Sequence, residues 1–224
     1  MTQENRGQLA GKNVTVYCSS SIAVAPLYFE AARELGAILA QAGATLVYGG
    51  TNVGLMGAIS QAVRAGGGRT IGVIPERIQL LGITDTEVSE LVVTDGMRER
   101  KAVMEDRADA FVALPGGFGT FEEFFEIVTA KQLGLHRKPI VLLNIAGYYD
   151  PLLQQLEKGA EQEFIKANGL LLFNVSTTPQ AALDYIADYQ PPSFQSKWFD
   201  LPGGFNANRV TAANKVKGEV PGSE

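Results

Sequence analysis

The chain has 224 residues, of which 46% are hydrophobic and 19% are charged, and its formal net charge at pH 7 is −5. This length is sufficient for one sizeable hydrophobic core, so we expect a single domain. The mildly acidic charge argues against a dedicated nucleic-acid binder, which would carry a basic face, and a single cysteine excludes an intramolecular disulfide.

From Asn13 onward, short apolar segments alternate with helical patterns. The segments that we interpret as strands are NVTVYC (13–18), ATLVYGG (44–50), RTIGVIP (69–75), ELVVTD (90–95), DAFVALPGG (109–117), KPIVLLNI (138–145) and GLLLFNVS (169–176). Helical patterns cover 26–41, 52–68, 97–108, 120–134, 149–164 and 178–189. Strands that alternate with helices are typical of βαβ units, and continuously apolar strands fit a sheet covered on both faces. We therefore predict an α/β fold with a parallel sheet.

The pattern divides the chain into three parts. Residues 1–12 form a polar N-terminal segment, 13–190 the α/β domain, and 191–224 a tail rich in proline, glycine and polar residues that we expect to be partly disordered. The start lacks an apolar signal core, and no apolar run reaches the roughly 18 residues that suggest a membrane span. We expect a soluble, cytoplasmic protein without a membrane partner.

Small residues lie at the ends of three of the predicted strands. Ser19 and Ser20 follow the first, Gly49 and Gly50 end the second, and the sequence LPGGFG lies at the end of the fifth. Ligands of parallel sheets bind at the carboxyl ends of the strands. These positions are therefore candidates for substrate binding.

The glycine-rich sequence directly before a predicted helix indicates a phosphate site. Gly116, Gly117 and Gly119 would let the backbone approach an anion, and the N–H groups of the helix N-terminus, with Thr120, would bind it. The pattern is neither a P-loop nor the GxGxxG of dinucleotide-binding folds. A tight turn without a ligand is the alternative.

Two adjacent acids, Glu122 and Glu123, fall in the first turn of the helix as predicted from Thr120. A favourable interaction with the helix dipole would explain them without a function. Adjacent helical residues point about 100° apart, so only one of them can face a ligand. Because like charges repel, an acid beside a phosphate site would face the sugar, where it could stabilise positive charge or activate water. This is the chemistry of glycosidic-bond cleavage.

The sequence GMRERKAVMEDR places Arg98, Arg100 and Lys101 close together. They form either a solvated helix face neutralised by nearby acids or a cationic patch that binds phosphate.

Several motifs resemble one known family. PGGFGTFEE resembles the PGGxGTxxE signature of the Lonely Guy (LOG) family of cytokinin riboside 5′-monophosphate phosphoribohydrolases, a family formerly mislabelled as lysine decarboxylases. MRERK resembles its MHxRK motif, and VYCSSS and YGGTNVGLMG resemble its first strand and its YGGGxxGLMG segment. The resemblance extends from about Val14 to Tyr189.

The resemblance implies a Rossmann-like, doubly wound fold and a homodimer with sites near its interface. It also implies hydrolysis of a nucleoside 5′-monophosphate, either AMP or an N6-modified AMP, to the free base and ribose 5-phosphate, without a cofactor or a metal. The catalytic pair falls on Arg100 and Glu123. The positions that match contacts to the nucleotide are Met97, Lys101, Gly116, Gly117, Gly119, Thr120 and Thr129.

Two residues depart from the family pattern: Arg98 replaces the histidine of MHxRK, and Thr51 replaces the third glycine of YGGG. A non-catalytic nucleotide sensor or molybdenum-cofactor carrier of the same fold is the alternative function. A lysine decarboxylase is disfavoured, because that chemistry usually requires pyridoxal phosphate on a lysine and no lysine lies in a recognisable cofactor setting.

Overall fold

The computed structural model describes residues 9–191. The predicted tail therefore lies outside the described residues except for Pro191, and only 9–12 of the N-terminal segment are described. Within residues 9–191, seven parallel strands form one sheet in the order β4-β3-β2-β1-β5-β6-β7. The strands are β1 (Asn13–Tyr17), β2 (Thr45–Tyr48), β3 (Thr70–Pro75), β4 (Glu90–Thr94), β5 (Ala110–Ala113), β6 (Ile140–Leu143) and β7 (Asn174–Ser176).

Helices cover both faces of this sheet, as the apolar strands predicted. They are α1 (Pro26–Gln41), α2 (Gly54–Ala65), α3 (Glu76–Gln79), α4 (Met97–Arg107), α5 (Phe118–Gln132), α6 (Asp150–Glu161) and α7 (Pro179–Ala187), with 3₁₀ turns at Ile145–Gly147 and Ala167–Leu172. One core cluster joins α1, α2 and α7 to the sheet, and a second joins α4, α5 and α6 to its other face. The fold is a single-domain, Rossmann-like α/β architecture.

Local sequence accounts for several helix ends. Proline occupies the first turn of α1, α6 and α7, where its missing N–H costs nothing. The side chain of Thr178 accepts a hydrogen bond from the N–H of Ala181 at 3.2 Å and so caps α7.

Two predicted elements differ from the structure. The segment GLLLFNVS does not form a strand throughout, because Ala167–Leu172 is a 3₁₀ turn and β7 begins only at Asn174. Leu172 and Phe173 enter the second core cluster from this turn, so a strand is not needed to bury them. The helix α5 begins at Phe118, two residues earlier than predicted, so Glu122 and Glu123 lie beyond its first turn. The helix-dipole explanation of these acids is weakened accordingly, since that effect is confined to the first turn.

The strand order reverses between β1 and β5, which pair from Val14–Ala110 to Tyr17–Ala113. In such sheets the crevice outside the carboxyl ends of these two strands is the usual ligand site. Residues Cys18 to Ser20 follow β1, and the glycine loop (residues 114–117) follows β5. The fold therefore brings two of the predicted segments to one crevice.

Candidate active site

A cavity of about 560 Å³ lies at this crevice, within the size range of small-molecule sites. The elements that line it are the loops after β1, β2 and β5, the starts of α2 and α4, the first two turns of α5, and α3 with the residues that flank it. Its lining residues include Ser19, Ser20, Gly49, Thr51, Met56, Ile78, Leu81, Ile83, Met97, Arg100, Gly117, Gly119, Thr120 and Glu123. The polar side chains of Thr120 and Glu123 come from α5, whereas Ile78, Leu81 and Ile83 form an apolar wall around α3.

A buried ion pair forms part of the cavity wall. Arg100 Nη1 donates a hydrogen bond to Glu123 Oε1 at 2.7 Å, and Arg100 Nε donates to the carbonyl oxygen of Val73 at 3.1 Å. Arg100 is 6% and Glu123 7% exposed. Burial raises the pKa of the Glu123 carboxyl above its ordinary value, although the Arg100 guanidinium acts to lower it. The pair therefore presents to the cavity a carboxyl group that could take part in proton transfer or stabilise positive charge.

The close approach of Arg100 explains the first glycine of the YGG sequence. A Cβ atom on Gly49 would lie 2.3 Å from Arg100 Nη2 and 2.7 Å from Met56 Sδ. No side chain fits at this position without moving the guanidinium. Gly49 therefore permits the ion pair to lie against the end of β2.

The N-terminus of α5 opens onto the same cavity through Gly117, Gly119 and Thr120. No residue in the described part of the chain accepts a hydrogen bond from the N–H of Gly116 or Gly117. Unpaired N–H groups at a helix N-terminus bind anions. Among residues 9–191, Arg100 is the only cationic residue that lines the cavity, so these backbone groups would supply most of the interaction with a phosphate.

The neighbouring acid and lysine lie away from the cavity. The side chain of Glu122 is 59% exposed and forms an ion pair with Lys101, whose Nζ also lies 2.9 Å from Glu126 Oε2. The structure thus separates the adjacent acids as helix geometry requires, with Glu123 at the cavity and Glu122 at the surface.

Sequence comparisons identify the family. Residues 56–186 match the sequence model of a family described as "Possible lysine decarboxylase". A probable cytokinin riboside 5′-monophosphate phosphoribohydrolase of Oryza sativa subsp. japonica is 48% identical over 189 residues, which cover 83% of this chain and 85% of the relative. A cytokinin riboside 5′-monophosphate phosphoribohydrolase of Arabidopsis thaliana is 42% identical over 180 residues, covering 80% and 83%. The chain belongs to the LOG family.

Solved structures support the fold. The molybdenum cofactor carrier protein of Chlamydomonas reinhardtii superimposes with a TM-score of 0.60 at 24% identity, covering 78% of this chain and 94% of that one. The molybdenum cofactor binding protein of Rippkaea orientalis gives a TM-score of 0.59 at 23% identity, with 78% and 93% coverage. At such identities the likeness shows a shared Rossmann-like architecture and nothing about the ligand.

Not all site residues predicted from the sequence line the cavity. Arg100, Glu123, Met97, Gly117, Gly119, Thr120, Gly49, Ser19 and Ser20 do. Gly116 lines a smaller adjoining pocket, while Gly50 is buried and its carbonyl accepts a hydrogen bond from Asp85 N at 2.9 Å. Lys101 makes the ion pairs described above. Thr129 lies on α5 beyond Glu123, and it is exposed. Within one chain, the fold does not bring Lys101 or Thr129 to the cavity.

The two departures from the LOG pattern differ in their position. Thr51 lines the cavity and its Oγ1 lies 3.3 Å from Met56 Sδ, whereas Arg98 is exposed on α4 and does not line the cavity.

Cys18 lies in the cavity wall, where burial raises the pKa of its thiol. Burial therefore favours the protonated thiol, which is not the nucleophilic form of cysteine.

A buried polar network near the cavity was not predicted from the sequence. The carboxylate of Asp85 accepts hydrogen bonds from Tyr48 Oη at 2.7 Å, Ser60 Oγ at 2.8 Å and Arg64 Nη1 at 2.7 Å. It fixes the loop before β4 to the end of β2, and this loop carries the cavity residue Ile83.

Neither a metal site nor a membrane span emerges from residues 9–191. This part of the chain contains no group of three or more His, Cys, Asp or Glu side chains that could hold a metal ion. None of its helices is long and apolar enough to cross a membrane.

Proposed function

We propose that this protein hydrolyses the N-glycosidic bond of adenosine 5′-monophosphate or its N6-modified forms, releasing the free base and ribose 5-phosphate. The observation that carries the proposal is the buried Arg100–Glu123 pair, which lies on the wall of the cavity that also receives the N-terminus of α5. Curated LOG relatives that match most of the chain are named for this reaction on cytokinin riboside 5′-monophosphates.

We assign each part of the nucleotide to a part of the cavity. The 5′-phosphate binds the N–H groups at the start of α5, beside Thr120. The base lies against the apolar wall that includes Ile78, Leu81 and Met97. The ribose then lies between them, next to Glu123. Phosphate binding is remote from the bond that breaks, so its binding energy can hold C1′ in place.

In the reaction, the bond between C1′ and the base nitrogen breaks, and the bonding electrons leave with the base, which acquires a proton. Water adds to C1′ and loses a proton. Glu123 stabilises the positive charge that develops on the ribose or accepts the proton of the attacking water. Arg100 holds the carboxylate and its charge in position through the hydrogen bond of 2.7 Å.

A pyridoxal-dependent lysine decarboxylase lacks this support. Within the described residues, no lysine lines the cavity, whereas that chemistry uses a lysine to bind its cofactor. The name of the matched family thus describes a reaction that the cavity residues do not favour.

The test is incubation of the pure protein with AMP and, separately, with N6-isopentenyl AMP, followed by chromatography of the base and ribose 5-phosphate. Glu123→Gln should lower the rate by orders of magnitude while the protein remains folded. Glu122→Gln is the matched control, because it makes the same change one residue away at an exposed position, and it should retain activity. Tight nucleotide binding without base release would instead favour the non-catalytic sensor or carrier.

We also propose that the protein is a homodimer with its sites near the interface. Phe118, Leu81 and Met97 line the cavity and are 94%, 65% and 49% exposed, so the rim of the cavity carries the apolar surface that a second copy would cover. Sedimentation of the wild type and of Phe118→Asp tests this, since the substitution should weaken the dimer. The predicted cytoplasmic location is tested by cell fractionation.

A further inference from the structure

Two adjacent tyrosines in the segment after β6 donate hydrogen bonds to the backbone of the glycine loop. Tyr148 Oη donates a hydrogen bond to the carbonyl oxygen of Gly116, and Tyr149 Oη donates to that of Leu114, each at 2.6 Å. Between them, the N–H of Ser19 donates to the carbonyl oxygen of Pro115 at 3.3 Å. Three successive carbonyl groups of the loop are therefore fixed by residues outside it.

This arrangement determines where the free N–H groups of the loop point. In a trans peptide, the carbonyl of one residue and the N–H of the next point in opposite directions. The carbonyl of Gly116 points to Tyr148, which lines the smaller pocket of about 230 Å³ behind the loop. The N–H of Gly117 is then directed to the opposite side. Gly117 lines the main cavity as well as the smaller pocket, so it lies between the two.

Glycines lose more conformational freedom on ordering than other residues, so a glycine loop does not hold its N–H groups in place by itself. Donors that are already oriented bind an anion more strongly, because no reorganisation is needed at binding. A hydrogen bond to the carbonyl of Gly116 is a direct means of orienting the following peptide plane.

The loop that carries the tyrosines is itself tightly constrained. Ala146 has a φ of 51°, a left-handed conformation that costs free energy for a residue with a Cβ atom. The side chain of Asn144 accepts a hydrogen bond from Tyr149 N and donates one to Asp150 Oδ1, both at 2.7 Å. The ring of Tyr149 packs edge-on against Tyr148, with 5.0 Å between ring centroids. Such strain persists only where the surroundings determine the conformation.

We propose that Tyr148 is a positioning residue for the 5′-phosphate: its hydroxyl orients the Gly116–Gly117 peptide so that the N–H of Gly117 faces the phosphate. The inference rests on the proposed function for the identity of the ligand. Tyr148 does not contact the nucleotide, and its effect passes through the backbone. Tyr149 is buried and anchors the base of the loop, at Leu114.

The variant Tyr148→Phe removes the hydroxyl and retains the ring. Loss of one hydrogen bond of ordinary strength corresponds to about a 2- to 12-fold change in an equilibrium constant. We expect the KM for AMP and the Kd for ribose 5-phosphate to rise within this range, while kcat changes less than 2-fold. Turnover and binding of adenosine, which lacks the phosphate, should be unchanged. If the role of Tyr148 were merely structural, Tyr148→Phe would weaken the binding of AMP and of adenosine alike and would lower the Tm of the protein.

Tyr28→Phe is the matched control. The ring of Tyr28 packs edge-on against that of Tyr148 at 5.9 Å and lines the same small pocket, but within residues 9–191 its hydroxyl has no hydrogen bond to the loop. This control should leave all constants for AMP and ribose 5-phosphate unchanged.

Calorimetric binding separates this proposal from the proposed function, because it does not require turnover. If the wild type binds ribose 5-phosphate without releasing base from AMP, the enzymatic proposal fails while the Kd of Tyr148→Phe still tests the positioning role. An unchanged Kd in Tyr148→Phe, an equal loss of adenosine binding, or no binding of ribose 5-phosphate to the wild type would each overturn the role of Tyr148.

Discussion

Replacing Arg100 with methionine removes the partner of a buried carboxylate and should destabilise the protein strongly. The two charged groups lie 2.7 Å apart, and the side chains of Arg100 and Glu123 are 7% and 8% exposed. Removing one partner of such a pair costs about 3–5 kcal/mol, whereas an exposed pair contributes about 0–1 kcal/mol. We therefore expect the free energy of unfolding of Arg100→Met to fall by about 3–5 kcal/mol at pH 8, out of a typical total of about 5–15 kcal/mol.

This destabilisation should depend on pH, with a sign that follows from the pKa of Glu123. Burial raises that pKa in the wild type, against the influence of Arg100. Without Arg100, the pKa of Glu123 in the folded state rises further. Between the unfolded-state pKa of about 4.3 and this folded-state pKa, the native state binds more protons than the unfolded state. The free energy of unfolding then falls as the pH rises through this window. The loss should be smaller at pH 5 than at pH 8.

Urea denaturation followed by circular dichroism at both pH values measures the effect. The double variant Arg100→Met/Glu123→Leu is the control, because it removes both charges and should recover most of the lost stability. A loss below about 1 kcal/mol that does not vary with pH would show that solvent screens the pair. A double variant no more stable than Arg100→Met would locate the loss in packing rather than in the unpaired carboxylate.

Three further predictions concern other parts of the fold. Gly116→Ala would place a Cβ atom 2.0 Å from Thr120 Oγ1, so we expect a loss of about 1–3 kcal/mol in urea denaturation, while Gly117→Ala, with nothing within 4 Å, should be tolerated by the fold. Burial raises the pKa of Asp85, but its hydrogen bonds with Tyr48, Arg64 and Ser60 outweigh this and leave the pKa lowered. Asp85→Ala should therefore lower the free energy of unfolding by about 3–5 kcal/mol at neutral pH. In acid denaturation, this difference from the wild type should shrink as the pH falls below about 3.9, the pKa in the unfolded state, and then through the lower pKa of the folded state. Burial lowers the pKa of Lys131 to about 8, and its Nζ has no hydrogen-bond partner within residues 9–191. Lys131→Met should stabilise the protein by about 1–3 kcal/mol below pH 8, and thermal unfolding should show this gain disappearing as the pH rises from 8 to about 10.4.

The fold was predictable because its signals are local. Each βαβ unit carries its own alternation of apolar strand and amphipathic helix, so the sequence predicted a parallel sheet covered on both faces. The last strand was predicted too long. The run from Gly169 to Phe173 has the apolar character of a strand, but Ala167–Leu172 is a 3₁₀ turn, and of this run only Leu172 and Phe173 enter the second core cluster. Periodicity does not distinguish these alternatives in a short apolar run.

The candidate site was only partly accessible from the sequence. The glycines before α5 and the acid that follows them lie within eight residues of each other, so their relation could be recognised as a motif. Tyr148 lies 32 residues from its partner Gly116, and Tyr48 lies 37 residues from Asp85. No local pattern marks such contacts, because they depend on which strands are neighbours in the sheet. A tyrosine a few residues after an apolar strand, as in NIAGYYD, was the available signal for Tyr148, and such a tyrosine is also common in ordinary packing.

Burial of Glu123 is costly for stability, but it suits the proposed reaction. In a site of low dielectric, an ionised carboxylate interacts strongly with positive charge that develops nearby. The ground-state nucleotide carries no such charge on its ribose, whereas the transition state does, so the interaction favours the transition state selectively. Arg100 offsets part of the cost of ionisation through one hydrogen bond to one carboxylate oxygen, Oε1. Together with the phosphate held at the start of α5, this would place the carboxylate against C1′ before charge develops there, which is the condition under which electrostatic stabilisation lowers a barrier.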